Sequence, residues 1–366
     1  MNNKNILIVT SEFPPQPGGI GNHAYYLGLY LSKNNYKVTV IADQRDFANE
    51  SEISFDASLT FEVKRISLKR VRPIMYLNRI VETIKSIKKA DYVITTGKFS
   101  LWNVAFCSLF YKRNKMAVIH GTEVNFKSAG LKKTINMSLK RFDSIVAVSN
   151  YTKQLVSHLN KEITVIPNGI ELSHWQMDSL TKATLKGNPV LTTVGRVSTR
   201  KGQLEVIKLL PALIKEYPEL HYHCVGIPTE ADMFLKQAKN LKVDTHVTFH
   251  GALSSKKLKE MLLATDVFVM LSTESSTGDI EGFGIAILEA NALGIPSIGS
   301  KNCGIEDAIL NDKSGFLVSR ESISEFEHAL KSILEVPNLY KEEAVSWASL
   351  HSWDKIVKCY IDVIEA

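Results

Sequence analysis

The chain has 366 residues, more than the roughly 250–300 at which a single hydrophobic core stops growing, so two domains are expected. Its composition, 45% hydrophobic and 22% charged, is that of an ordinary globular protein and excludes a low-complexity or disordered chain. The formal charge of +6 is unevenly placed: residues 1–180 carry 24 Lys+Arg against 14 Asp+Glu and the remainder 20 against 24, which suggests an anionic partner for the first half, a phosphorylated lipid, a membrane surface or nucleic acid.

The N-terminus enters a strand-like run, Asn5 to Thr10, almost at once, leaving no room for a signal peptide. No apolar run approaches the ~20 residues of a membrane span, so a cytoplasmic protein is expected. Cys107, Cys224, Cys303 and Cys359 are scattered without C-x-x-C spacing and fit reduced thiols. β-branched runs then alternate with helical stretches, the mark of a parallel α/β architecture. Strands are expected at 5–10, 37–42, 91–95, 116–120, 144–148 and 163–166. After a linker near 172–188 the rhythm restarts, at 190–196, 221–225, 247–250, 267–271 and 296–299. Two doubly wound units in series follow from this, each taking ligands at the C-terminal ends of its strands, with a cleft where they face each other.

Chemistry-bearing residues gather at those strand ends. Pro17-Gly18-Gly19-Ile20-Gly21-Asn22-His23-Ala24 follows the first strand, and with Asp43 closing the second it fits a dinucleotide fingerprint. That suggests an NAD-dependent oxidoreductase, but Ser11 to Pro17 intervene where a fingerprint turn should follow its strand directly. His120-Gly121-Thr122-Glu123 ends a buried-looking strand and is placed to reach into a cleft, or to cap the strand. Gly195-Arg196-Val197-Ser198-Thr199-Arg200-Lys201-Gly202 follows the first strand of the second unit, where Arg196 and Lys201 could neutralise a diphosphate or be a basic surface turn. Glu281-Gly282-Phe283-Gly284-Ile285-Ala286-Ile287-Leu288-Glu289 opens a helix whose glycines let backbone N–H groups approach an anion. Its two glutamates are too far apart to act on one bond and suit hydroxyls at opposite ends of one ligand. Alternatively, one is a helix-start charge favoured by the dipole and the other a solvated helix residue.

Absences narrow the chemistry. There is no phosphate-binding G-x-x-x-x-G-K-[ST] loop, no H-E-x-x-H, no Cys/His cluster for zinc and no D-x-D pair for a metal on a sugar nucleotide. The basic half lacks aromatic platforms and any recognisable module for nucleic acid.

Taken together and in order, these motifs resemble glycosyltransferase family 4. The resemblance also includes Val148-Ser149-Asn150-Tyr151-Thr152, Ile166-Pro167-Asn168-Gly169-Ile170 and the tail Ser352-Trp353-Asp354-Lys355-Ile356-Val357. It spans nearly the whole chain and implies the GT-B fold, two facing Rossmann-like domains with a cleft between them. An acceptor-binding domain would span 1–172 and a donor-binding domain 188–349, with a final helix at 350–366 packing back on the first. The implied activity is a retaining transfer of a hexose from a nucleotide diphosphate sugar, without metal or other cofactor. A catalytically dead sugar-nucleotide-binding protein is the non-enzyme alternative, against which the joint presence of His120, Arg196, Lys201, Glu281 and Glu289 speaks.

By the same resemblance, Gly19 approaches the donor diphosphate, and Arg196 and Lys201 bind its phosphates. Glu281 holds donor-sugar hydroxyls, aided by the backbone of Gly282, Phe283, Gly284 and Ile285. Glu289 accepts from the ribose, His120 lies by the reacting sugar carbon, and Gly251 and Leu253 flank the base. The stretch Ser276 to Gly282 is similar to the mannosyltransferase branch that elongates phosphoinositide lipids, which favours a GDP-mannose-like donor ahead of UDP-sugars. The acceptor is expected to be a lipid-linked molecule or a glycan of the cell envelope. Two basic and apolar stretches, Lys69 to Leu77 and Phe126 to Arg141, suit peripheral contact with the anionic inner leaflet.

Overall fold

A computed structural model describes residues 4–176 and 180–366. The strands are β1 (Asn5–Thr10), β2 (Lys37–Asp43), β3 (Glu62–Ile66), β4 (Tyr92–Thr96), β5 (Asn114–Ile119), β6 (Ser144–Ala147), β7 (Ile163–Val165), β8 (Val190–Val194), β9 (His221–Val225), β10 (Val247–Phe249), β11 (Val267–Met270), β12 (Ser297–Ser300) and β13 (Gly315–Val318). The helices are α1 (Gly19–Lys33), α2 (Glu50–Ala57), α3 (Arg72–Ile87), α4 (Lys98–Cys107), α5 (Ala129–Leu139), α6 (Asn150–Leu155), α7 (Gln203–Glu216), α8 (Ala231–Asn240), α9 (Ser255–Leu263), α10 (Ile285–Ala292), α11 (Ile323–Glu335), α12 (Pro337–Leu350) and α13 (Trp353–Glu365). None of the described helices is long and apolar enough to cross a membrane.

The strands form two sheets, ordered β3-β2-β1-β4-β5-β6-β7 and β10-β9-β8-β11-β12-β13. Every pairing within them is parallel. Both follow the doubly wound order in which the chain reverses direction beside its first strand, and such a reversal opens a crevice at the strands' C-terminal ends. In the first sheet the reversal lies between β1 and β4, in the second between β8 and β11. The central strands are buried along most of their length because helices cover both faces, and β1 and β11 are the apolar runs Ile6 to Val9 and Val267 to Met270.

Two compact units result, Met1–Gly169 with Trp353–Ala366, and Ile170–Ser352. The first is built on buried residues such as Leu7, Val93, Leu101, Ile119 and Ile145. The second is built on Leu191, Ile207, Tyr222, Val269 and Phe326. Of the expected linker at 172–188, residues 177–179 lie outside the described residues, as do residues 1–3 of the expected first domain.

Helix α13 belongs to the first unit because its sequence carries one apolar stripe, Trp353, Ile356, Val357, Tyr360 and Ile364, all buried. That stripe lies on α1: Trp353 stacks with Tyr26 and Tyr30, and the Tyr360 hydroxyl is 2.9 Å from Nε2 of His23. Trp353 also fits against Gly169 so closely that a Cβ there would lie 2.6 Å from the indole.

The structure adds β3 and β13 to the expected strands. β3, Glu-Val-Lys-Arg-Ile, is an edge strand with a partly exposed, charged surface, and so lacks the apolar run of its neighbours. β13 is four residues long and closes the other edge.

Candidate active site

In the second unit, two loops flank the β8/β11 reversal. The one after β8 turns through a short 3-10 helix, Thr199–Lys201, and ends at Gly202 with φ +77°. A Cβ on Gly202 would lie 1.9 Å from the Leu271 carbonyl oxygen, so only glycine lets this turn sit against the end of β11. The turn brings Arg200 and Lys201 to the loop after β11. Lys201 Nζ lies 2.7 Å from Glu281 Oε2, and Arg200 Nη1 lies 2.6 Å from the same oxygen. Arg200 Nε also pairs with Asp279 at 3.1 Å.

Burial alone would raise the Glu281 carboxyl. The charges and hydrogen bonds of Lys201 and Arg200 outweigh it and hold the group down at about 2, so Glu281 is ionised across the working pH range. Glu289, on α10, is the opposite case. Burial pushes its carboxyl up to about 7 against the weaker pull of Lys201, and it makes no hydrogen bond or ion pair among the described residues. Two equally buried carboxylates eight residues apart are thus set to different protonation behaviour by Lys201 and Arg200, which pair directly with Glu281 but not with Glu289.

Gly282, Phe283 and Gly284 are buried between the two glutamates, and Gly284 stands at the start of α10 with no side chain capping the helix. The first N–H groups of α10, from Ile285 on, are therefore the kind of orphan donors that favour an anion. Arg196 is exposed, and its guanidinium has no partner among the described residues. Gly251 follows β10 and its carbonyl accepts from Gly226 N at 2.9 Å, while a Cβ on Gly226 would lie 2.1 Å from Gly195 O. The close approach draws the loops after β8, β9 and β10 together. Leu253 is half-buried just ahead of α9.

Gly19 and His120 lie in the first unit. Gly19 is the first residue of α1, exposed, with nothing within 4 Å of where a Cβ would stand. His120 follows β5 directly; its Nε2 is 2.8 Å from Thr96 Oγ1, and its ring meets that of His23 edge-on at 4.9 Å. Burial lowers His120 to about 4, which makes it neutral at pH 7. Its backbone N–H donates to Glu123 Oε1 at 2.6 Å, fixing the turn that aims the ring. The dinucleotide alternative loses its acidic residue: both oxygens of Asp43 are taken by Arg79, at 3.0 and 2.5 Å, in a buried bidentate pair.

The structure therefore brings Lys201, Glu281 and Glu289 together in one unit and places His120 and Gly19 on neighbouring elements of the other. Arg200 and Asp279 join the cluster without having been assigned a role from sequence. Both stood inside quoted motifs, but only the 3-10 turn decides which arginine swings toward Glu281.

Comparison with known proteins agrees with this anatomy. The model of Glycosyltransferase Family 4 matches residues 17–174, and that of Glycosyl transferases group 1 matches 179–345. The chain is 25% identical over 351 residues to the GDP-mannose-dependent alpha-(1-6)-phosphatidylinositol monomannoside mannosyltransferase of Mycobacterium tuberculosis, covering 90% of this chain and 89% of that one. It is 26% identical to the protein of the same name from Mycolicibacterium smegmatis, covering 95% and 94%. Among solved structures, a glycosyltransferase from Rickettsia africae superimposes with a TM-score of 0.78 at 20% identity, over 99% of this chain and 98% of that one. Anabaena Alr3699/HepE in complex with UDP and glucose gives 0.77 at 17%, over 99% of each. With a family 4 domain followed by a group 1 domain, each on its own Rossmann-like parallel sheet, the chain belongs to the glycosyltransferases of GT-B fold.

Proposed function

We propose that this glycosyltransferase is a retaining, metal-independent hexosyltransferase that moves a sugar from a nucleotide diphosphate, GDP-mannose ahead of UDP-hexoses, to a lipid-linked or glycan acceptor of the cell envelope. The observation that carries the proposal is the Lys201–Glu281 pair beside the unpaired Glu289, at the uncapped start of α10. Lys201, Arg196 and the α10 N–H groups bind the donor diphosphate and take up the negative charge of the departing group. Glu281, kept ionised, accepts from sugar hydroxyls, and Glu289 accepts from the ribose. Gly251 and Leu253 flank the base. Gly19 leaves open space for the diphosphate, and neutral His120 stands by the reacting carbon.

The transfer then runs through an oxocarbenium-like state on one face of the sugar. A donor phosphate oxygen takes the acceptor proton, so catalysis is mostly positioning and stabilisation of the leaving diphosphate. The donor preference is supported by the GDP-mannose-dependent names of the mycobacterial relatives, and UDP is supported by the complexes of the Anabaena protein. Metal independence is supported by cations already in the site and by the lack of a D-x-D pair. The first unit would bind the acceptor, and its basic surface would hold the protein against the cytoplasmic face of an anionic membrane.

The test is thermal shift and slow donor hydrolysis with UDP-, GDP-, ADP- and dTDP-sugars in the presence of EDTA. Ligand at ~100 times its dissociation constant adds about 2.7 kcal/mol, enough to detect. One responding nucleotide names the donor. Response to none of them, or only with added divalent metal, overturns the proposal.

A further inference from the structure

The turn that carries Arg200 and Lys201 is a single 3-10 turn, Thr199–Lys201. So short a piece closes few hydrogen bonds of its own, and its shape has to be held from outside. Internally, Lys201 N donates to Ser198 O at 3.0 Å and Gly202 N to Thr199 O at 3.1 Å. Gln203, at the start of α7 and fully buried, braces the approach to the turn. Its Oε1 accepts from Ser198 N at 3.2 Å and its Nε2 donates to Arg196 O at 3.2 Å. On the far side, Thr273 N donates to Arg200 O at 3.0 Å, which ties the turn to the end of β11.

The third support comes from the loop after β9. Val197 N donates to Ile227 O at 2.9 Å and Glu230 N to Val197 O at 3.1 Å, so this loop runs alongside the one after β8. Glu230 then reaches across with its side chain. One carboxylate oxygen, Oε2, accepts from Thr199 N at 2.9 Å and from Thr199 Oγ1 at 2.7 Å. Glu230 stands at the start of α8, where a carboxylate could accept from the helix's own first N–H groups, yet it makes no such bond. It also forms no ion pair among the described residues, so both of its printed contacts go to Thr199. Hydrogen bonds to a carboxylate are roughly twice as strong as neutral ones, and these join residues thirty-one apart in sequence.

We propose that Glu230 is a positioning residue for sugar transfer: by fixing Thr199 it sets the place of the Lys201 ammonium beside Glu281 and the donor diphosphate. This rests on the role proposed above for Lys201 and adds the residue through which that role is set. A cation held in place before the donor arrives stabilises the departing charge without reorganisation, and a misplacement of about 1 Å can cost ~100-fold in rate. What the turn needs from Glu230 is an acceptor oxygen for Thr199 rather than a negative charge, because both contacts are hydrogen bonds from uncharged donors.

The test is a double-mutant cycle on the full-length protein. Hydrolysis of GDP-mannose and of UDP-glucose is followed as initial rates, and the faster donor carries the comparison. Glu230→Ala is expected to lower kcat about tenfold or more, whereas Glu230→Gln, which keeps the acceptor oxygen, should stay within about threefold of the parent. In a Lys201→Ala background, Glu230→Ala should cost no more than about a further threefold, because it acts through that ammonium. Thr199→Val, which removes only the hydroxyl bond, carries the same cycle should Glu230→Ala fail to fold. Equal losses in both backgrounds, a parent-like rate in Glu230→Ala, or a Glu230→Gln as slow as Glu230→Ala would each overturn the inference. If Lys201→Ala is slow and Glu230→Ala is not, the brace fails and the proposed reaction stands. If Lys201→Ala leaves the rate unchanged, or the parent hydrolyses neither donor, the proposed reaction fails and this inference with it.

Discussion

At the scale of single residues, the division of labour around Lys201 is the most exposed to test. Among the described residues its ammonium is the cation that both pairs with Glu281 and lowers the carboxyl of Glu289, so removing it disturbs the charge of both glutamates. Loss of one charged group that stabilises a transition state costs about 2.7–4 kcal/mol, so Lys201→Ala should lower turnover ~100-fold or more, measured as initial rate with the responding donor. Arg200 still pairs with Glu281 in that variant, so the loss should appear with little change in melting temperature. Unchanged turnover would remove Lys201 from the mechanism.

The pH behaviour of Glu289 offers a second test. Burial raises its carboxyl to about 7, so ionising it is harder in the folded protein than in the unfolded chain. The resulting destabilisation is absent below the ordinary glutamate range, grows as pH rises from there, and is complete above about 7. Glu289→Gln should therefore raise the melting temperature at pH 8 and leave it unchanged at pH 4, while weakening donor binding at pH 8. Stability that is equally affected at both pH values would mean that the carboxyl is not raised.

At the scale of elements, turn geometry and helix docking carry the predictions. Gly202→Ala must place a methyl group against the Leu271 carbonyl at φ +77°, a strain of about 1–3 kcal/mol that should lower the melting temperature and loosen the Arg200–Lys201 turn together. Gly19→Ala is the control with the opposite expectation. Its Cβ meets nothing in the free protein, so stability should hold, while the donor KM should rise if the diphosphate takes that space as proposed. Helix α13 is fastened mainly by Trp353, and Trp353→Ala should cost about 3–5 kcal/mol in denaturant unfolding, far more than any exposed position of that helix.

The same elements indicate what could be seen beforehand. The central strands stood out because parallel strands covered on both faces carry β-branched and apolar runs, whereas β3 hid behind Glu62, Lys64 and Arg65. The basic and apolar stretch expected from Lys69 to Leu77 took in Ile74 and Leu77 but stopped short of Val81, which continues their helical spacing on α3.

At the scale of the whole molecule, charge separation along the chain decides how it meets a surface. With the excess of Lys and Arg in residues 1–180, co-sedimentation with anionic liposomes is expected at low salt and should be lost as salt shortens the Debye length to about 3 Å at 1 M. Binding that ignores salt, or no binding at low salt, would set the inner-leaflet proposal aside.

The alternation of apolar runs with helical stretches was enough to indicate two doubly wound sheets, because that pattern is local and periodic, and the ordered motifs indicated a glycosyltransferase through their resemblance to family 4. The partners of the charged residues were not local. That Arg200 rather than Arg196 meets Glu281, and that Asp43 is consumed by Arg79 thirty-six residues away, depend on which strand ends the topology makes neighbours. Periodicity specifies which face of an element is buried. Only the packed sheet brings distant strand ends close enough for their charges to interact.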